Sequence, residues 1–318
     1  MNGRGIADNR HRPEWGPIRM ALLIPDARRS LLAGLIDDAA LLRPSPPTVE
    51  QAVDAYLRLA ATENGWMVGR LVVPASLLQE LAGVLVRTLR SGAPSVPIVT
   101  VFDGDIAVGA SIAAAVHTLL DPAARIEGVV LPHPSSDPVD GVFDAVAAGN
   151  GIHHGVLSMV AVPIGAADDQ AMDAIAAAGT EALRPAGVWI DLRSAPVDPD
   201  DLSSMIRSCV RPGVPFTVLV DQLPVVTQID RTKDELRYGV LNLLAATLHA
   251  HSDRPEAAGL LVDDSPQTYR IEFEGLTRGG VGIRASGSIG ADRSPLVSLA
   301  TLDAAHTTAA LGTLNEAP

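Results

Sequence analysis

Residues 96–131 read VPIVTVFDGDIAVGASIAAAVHTLLDPAARIEGVVL, and this stretch decides the fold class. It opens on a continuous apolar run rich in β-branched residues, Val96–Phe102. An Ala- and Leu-rich segment with helical period follows at Ile112–Leu120, then a second β-rich run at Ile126–Leu131. The runs are continuous rather than alternating, so each predicted strand is buried on both faces, as in a parallel sheet. Strand, helix and strand in roughly 30 residues make one βαβ step.

The same unit recurs in both directions along the chain. Further β-rich runs stand at Val68–Val73, Val156–Val162, Gly187–Leu192 and Val214–Val220. Helical segments lie between them at Leu77–Leu89, Val139–Ala148, Asp169–Leu183 and Asp200–Val210. Evenly spaced units of this kind fit a (β/α)8-like, TIM-type barrel better than a doubly wound sheet. A dinucleotide-binding sheet requires a Gly-rich turn after its first strand, where this chain has Val73-Pro74-Ala75-Ser76. No Gly-Lys-Ser/Thr loop occurs either, which excludes a P-loop NTPase but not nucleotide binding in general.

The two ends of the pattern are less regular. Residues 1–19 read as a disordered tail. Leucines 31, 32 and 35 predict a helix within Asp26–Leu42, and Thr48 with Gln51 predicts a capping box opening a helix to about Ala61. After Val220 a polar insertion spans Gln228–Arg237, followed by a predicted helix over Tyr238–His251. Gly259–Val262 reads as either a short strand or a helix. Tyr269–Glu274 alternates like a half-exposed strand, Gly280–Ala285 is the segment expected to close the sheet, and residues 306–318 read as a frayed tail. The expectation is one domain over 20–305, with N-terminal helices over 26–61 and a barrel irregular or incomplete toward its C-terminal end.

Composition narrows the function. The chain has 318 residues, 47% hydrophobic and 19% charged, enough apolar material for a large core. Its 24 basic and 37 acidic residues give a formal charge of −13. A surface that acidic repels phosphate backbones and anionic lipid, so nucleic acid and membrane are not expected partners. Three Trp, three Tyr and four Phe are too few for a base-stacking platform. No secretion signal is visible, and the longest apolar run, Ile106–Leu120, is interrupted by His117 and too short for a membrane span. A cytoplasmic protein is expected, and association with itself or with a protein partner stays open.

The single cysteine, Cys209, permits neither an internal disulfide nor a thiolate zinc cluster, and its helix-like setting predicts a buried structural thiol. The single lysine, Lys233, lies in the polar run Asp230–Glu235, which reads as a solvated loop. An amine there keeps its high pKa, which disfavours Schiff-base chemistry.

In a barrel the active face is the C-terminal rim of the strands. Reading off strand ends gives Ser76, Asp103, Asp105, His133, Asp191, Arg193, Asp221 and Gln222. The irregular end adds Asp263, Ser286 and Ser288, and the ligand-binding mouth is expected near Arg193, Asp191, Asp221 and Asn242. Carboxylates suit proton transfer, which makes Asp103, Asp191 and Asp221 the catalytic candidates. Arg193 follows a strand with no acidic residue in the next turn and is the expected anchor for a phosphate or carboxylate. Each has a plainer reading beside it. Asp103 or Asp105 caps the next helix, His133 between two prolines is a surface turn residue, and Arg193 pairs with Asp191 or Asp221. Adjacent carboxylates at Asp37 and Asp38 would oppose the dipole of a helix C-terminus, so one is expected to point into the pocket. Oxygen ligands from several strand ends would suit magnesium or calcium. No metal site or cofactor is assigned.

These stretches resemble a family of actinobacterial proteins that has no settled activity. Asp37–Leu42 with Pro46-Pro47 is similar to its Asp-Asp-Ala-Ala-Leu-Phe-Pro-Pro, and Val73–Leu81 resembles its first barrel strand and helix. Asp191-Leu192-Arg193-Ser194-Ala195-Pro196 corresponds to Lys-x-Arg-Thr-Gly-Gly, keeping the arginine but not the lysine or glycines. Pro215–Pro224 corresponds to Pro-Phe-Lys-x-Thr-Ala-Gly-Leu-His-His, without the lysine or either histidine. Tyr238–Asn242 echoes His-Gly-Phe-Leu-Asn. The resemblance implies an aldolase- or isomerase-like site in the family, and the lost residues imply degenerate or absent catalysis here. The expectation is a barrel binding a small anionic or polar metabolite at its rim. The alternatives are a carboxylate-dependent lyase, isomerase or hydrolase, with or without magnesium, and a structural subunit of an assembly.

Overall fold

The structure, a computed structural model, describes residues 27–89, 95–121, 123–132, 146, 151–152, 155–164, 169–181, 186–193, 196–233, 235–251, 257–265, 269–272, 275–278, 281–283 and 296–313. Its frame is a closed barrel of eight parallel strands. These are β1 (Ile36–Asp38), β2 (Val68–Pro74), β3 (Val96–Val101), β4 (Ala124–Leu131), β5 (Leu157–Ala161), β6 (Ala186–Asp191), β7 (Phe216–Val220) and β8 (Leu296–Thr301). The strands neighbour one another in chain order from β1 to β7, and β8 closes the ring between β7 and β1. The TIM-type architecture read from the periodicity is therefore present, with the β-rich runs of the sequence becoming β2 to β7.

The helices are α1 (Ala27–Leu32), α2 (Val49–Ala60), α3 (Leu78–Thr88), α4 (Ile106–Leu120), α5 (Asp169–Glu181), α6 (Pro199–Val210), α7 (Val240–Ala250), α8 (Ala257–Leu261) and α9 (Ala304–Gly312). Thr48 and Gln51 form the expected capping box on α2. Apart from Val146, the expected helix over Val139–Ala148 lies outside the described residues, as does the tail 1–19.

Both strands that close the ring differ from expectation. Where leucine spacing predicts one helix over Asp26–Leu42, α1 stops at Leu32. Gly34 then takes the left-handed φ of 60°, which only glycine adopts freely, and turns the chain into β1. A three-residue strand is too short to show a period of its own. At the other end, the described part of Gly280–Ala285, Val281–Ile283, pairs antiparallel with Gly275–Arg278, which in turn pairs with Tyr269–Glu272. That three-stranded sheet stands apart from the barrel, and Leu296–Thr301 closes the ring instead, in register with β1 at Ile36–Leu299, Asp37–Ala300 and Asp38–Thr301. Gly259–Val262 resolves as α8 followed by a turn.

The expected frayed tail also folds, as far as it is described. Asp303 caps α9 through His306 N, Leu311 is buried, and the Arg28 guanidinium donates to the Leu311 and Gly312 carbonyls at 2.9 and 3.0 Å. The C-terminal helix is thus tied to the helix that precedes β1. No helix among the described residues is long and apolar enough to cross a membrane.

Inside the ring, alternate residues stack in layers. Val72, Val99, Val130, Met159, Trp189, Leu219 and Ala300 make an apolar middle layer. Fully burying a Val, Leu or Met side chain of this kind contributes about 1.5–3 kcal/mol. Toward the strand N-termini lies a polar layer built on Asp37 and Arg70. The Asp37 carboxylate accepts from Arg70 N at 2.7 Å, Arg70 Nη2 at 2.7 Å and Ser298 Oγ at 2.6 Å. Ser298 Oγ also lies 2.6 Å from Arg70 Nη2 and 3.1 Å from Thr217 Oγ1. Gly128 leaves room chiefly for the apolar layer, because a Cβ there would sit 3.2 Å from Met159 Cε and 3.3 Å from Val99 Cγ2, with Arg70 Nη1 at an ordinary 3.5 Å.

Candidate functional site at the C-terminal rim

Asp191 ends β6, and the chain turns back at Arg193 so that the two side chains meet. Arg193 Nε donates to Asp191 Oδ1 at 2.9 Å and Nη2 to Oδ2 at 2.7 Å, with Arg193 N also on Oδ1 at 2.9 Å. Nη1 reaches across the rim to the Leu42 carbonyl, 3.0 Å away, in the turn after β1. The bonded Asp191 carboxylate raises the guanidinium pKa above its ordinary value. The arginine expected to receive an anionic ligand is therefore committed to a strut, because an Asp-x-Arg turn brings its own carboxylate within reach.

Asp221 and Gln222 follow β7. Above them two short strands, Gln228–Asp230 and Glu235–Arg237, pair as an antiparallel hairpin where the sequence shows only a polar insertion. Asp230 accepts from Thr232 N at 2.9 Å and Thr232 Oγ1 at 2.6 Å, which lowers its pKa to about 2, and it pairs with Arg237. Arg237 also donates to the Gln222 side-chain carbonyl, fastening the hairpin to the rim. The Asp221 and Glu235 carboxylates and the Lys233 ammonium make no hydrogen bond or salt bridge among the described residues.

Three clefts ring these groups. One of about 400 Å³ lies under the hairpin, lined by Arg193, Asp221, Gln222, Lys233, Glu235 and Tyr238 among others. A second, of about 540 Å³, is walled by Val162, Pro163, Ile164, Trp189, Asp191 and Asp198 with their neighbours. A third, of about 430 Å³, runs along Arg43, Ser45, Asp221, Gln222, Leu302 and Asp303. Asp191 lines the second cleft and Arg193 the first, so their ion pair is part of the partition between them.

Other sequence candidates are placed elsewhere. The Asp103 carboxylate accepts from Ser76 N at 3.1 Å and Ser76 Oγ at 2.5 Å, stapling the loops after β2 and β3, and lines none of the three clefts. Asp105 is the helix cap, on Val108 N of α4 at 2.9 Å. Asn242 is fully buried in α7 and lines none of the three clefts. Its Oδ1 accepts from Thr227 N and its Nδ2 donates to the Leu260 and Asp263 carbonyls, so its amide holds the insertion together. Asp263 Oδ1 accepts from Ser265 N in a local turn. His133, Ser286 and Ser288 lie outside the described residues.

The Asp37-Asp38 pair is split by strand alternation. Asp37 points into the barrel but at the N-terminal side, in the ion pair with Arg70. Asp38 is buried near the end of β1, its Oδ1 accepting from Ala40 N at 3.0 Å, and burial raises its pKa. Among the described residues, no three of His, Cys, Asp and Glu converge as a metal-ligand set.

Nothing in the sequence pattern marks Lys233, Glu235, Trp189 or Tyr238 as pocket residues. The usable signal is local: Ile229 and Leu236 flank a turn rich in Asp and Thr, which is hairpin spacing. No protein-family model matches the chain, and no curated protein sequence matches it.

Proposed function

We propose that the rim binds a small polar metabolite in the cleft under the 228–237 hairpin, in a cytoplasmic protein with degenerate or absent catalysis. The observation that carries this reading is a set of charged groups in one cavity that make no hydrogen bond or salt bridge among the described residues: Asp221, which feels the Arg193 charge, Glu235 and Lys233. Charged groups that line a cleft and are not consumed by one another can bond a ligand that supplies complementary groups. The cavity volume is in the range that encloses a small metabolite.

Binding is favoured over carboxylate chemistry by how the aspartates are used. Asp103 is occupied by Ser76 and Asp191 by Arg193, which leaves Asp221 alone of the three catalytic candidates. The resemblance to a family whose lysine and histidines are missing here is in keeping with that choice. The anionic half of the sequence expectation loses its main support, since the Arg193 fork is filled. Leu223 and Pro224 do not plug the mouth. Leu223 is buried in the outer core and the Pro224 carbonyl accepts from Val240 N, so a purely structural barrel has no support from those residues.

The test is a thermal-shift screen of amines, polyols, amino acids and phosphorylated metabolites, with and without Mg²⁺. A true ligand at a hundredfold excess over its Kd raises Tm by roughly 5 °C. That rise should vanish in Asp221→Asn or Glu235→Gln. Stabilisation that survives both substitutions, or none from any compound, overturns the reading.

A further inference from the structure

We propose that the ligand is a primary amine carrying an apolar, preferably aromatic, group, seated across two adjoining clefts with its ammonium under the hairpin. The inference rests on the rim being a binding site and adds the chemical class of what it takes.

Two observations combine. The first is shape. The cleft under the hairpin and the cleft beside Trp189 share Pro196 and Val197 as common walls. The second cleft is lined by Val162, Pro163, Ile164 and Trp189, of which Pro163 is exposed and Ile164 half-buried. Trp189 belongs to the middle layer of the barrel interior and is 3% exposed. Packed into the core, Trp189 gives that cleft a rigid border, and Pro163 and Ile164 offer the open apolar surface for a flat or branched group. The Asp191–Arg193 pair between the clefts cancels its own charge and leaves each compartment its own character.

The second observation is charge. Asp191 is matched by Arg193, and Asp230 by Arg237. Among the described residues, what remains around the two clefts is Asp198, whose carboxylate caps α6 on Asp200 N, with Asp201, Asp221 and Glu235, against Lys233. Four carboxylates facing one ammonium, on a chain of formal charge −13, give a negative potential that concentrates cations at the rim and repels anions. A primary ammonium donates hydrogen bonds to the Asp221 and Glu235 oxygens, and the apolar part leaves water against Pro163 and Ile164 beside Trp189.

Calorimetric titration of the full-length protein with three probes tests this: phenethylamine, phenylacetate and ethanolamine. Phenethylamine should bind at least roughly tenfold more tightly than either of the others. Asp221→Asn with Glu235→Gln should weaken it by a similar factor, and Ile164→Arg should weaken phenethylamine but not ethanolamine. Phenylacetate binding as well as phenethylamine overturns the charge assignment, and ethanolamine matching phenethylamine overturns the apolar subsite. If none of the three binds while another compound in the stability screen does, the amine proposal falls and the rim reading stands. If no compound in either experiment binds, both fall.

Discussion

Arg193 lies bidentate on Asp191, with Nε to Oδ1 at 2.9 Å and Nη2 to Oδ2 at 2.7 Å, and its third arm holds the Leu42 carbonyl at 3.0 Å. One side chain thus joins the end of β6 to the turn after β1 across the barrel mouth. Planar fork geometry is what permits three bonds in three directions, and lysine has no equivalent. Arg193→Lys should therefore lower stability by about 1 kcal/mol, a modest loss because both partners are about a quarter exposed. Urea denaturation measures it. An unchanged midpoint would show that the strut contributes nothing to the fold.

The Asp37–Arg70 pair makes a stronger prediction, because it is buried within the barrel. Removing one partner leaves an uncompensated charge in a place water cannot reach. Asp37→Ala or Arg70→Ala should each cost about 3–5 kcal/mol. Replacing both with apolar residues, Asp37→Leu with Arg70→Met, should recover much of that loss. Chemical denaturation of the two singles and the double gives the coupling. Additive losses would mean that the two charges do not depend on each other.

Asp38 carries a pH signature. Burial raises its carboxyl pKa above the ordinary 3.8, so the folded chain holds a proton that the unfolded chain releases. Its contribution to stability is full below pH 3.8 and falls as pH rises through the raised pKa. A carboxamide in its place would still accept from Ala40 N and would not ionise. Asp38→Asn should therefore match the wild type at low pH and melt a few degrees higher at pH 7. Equal melting temperatures at both pH values would contradict the assignment.

How far the sequence can be read depends on element length. Runs of five to eight residues buried on both faces stand out, and β2 to β7 lie where the apolar pattern puts them. Ile36–Asp38 offers one apolar residue before two acids, which no periodicity argument can recognise as a strand. Its acids are tolerated because alternation sends Asp37 to Arg70 and leaves Asp38 in a local turn. β8 is hidden by distance, because Leu296–Thr301 comes only after the long stretch that follows β7 at Val220. At the rim, strand-end positions are legible for Asp191, Arg193, Asp221 and Gln222. Their partners are not, because pairing depends on which way each loop turns. Asn242 shows the limit: expected at the mouth, it instead satisfies buried backbone groups.

Cys209 offers an independent check on the helix layer. It is fully buried beside Met172, with Sγ 3.6 Å from Sδ, and burial pushes its pKa up to about 12. The thiolate is the reactive species, so the native protein should resist iodoacetamide at about pH 8 while the unfolded chain is labelled. Labelling at equal rates in both states would place the cysteine on the surface.

A ligand seated across the cleft under the hairpin and the adjoining cleft of Pro163 and Ile164 borders Trp189, whose indole N–H resonance reports it most directly. That resonance is assigned by Trp189→Phe and followed while the best stabilising compound is added. A shift that saturates with the same Kd as the calorimetric titration is the predicted result. A compound that binds while the Trp189 signal stays fixed, with changes confined to the outer groove between α3 and α4 at Gln79, Ile112 and Leu119, would contradict it.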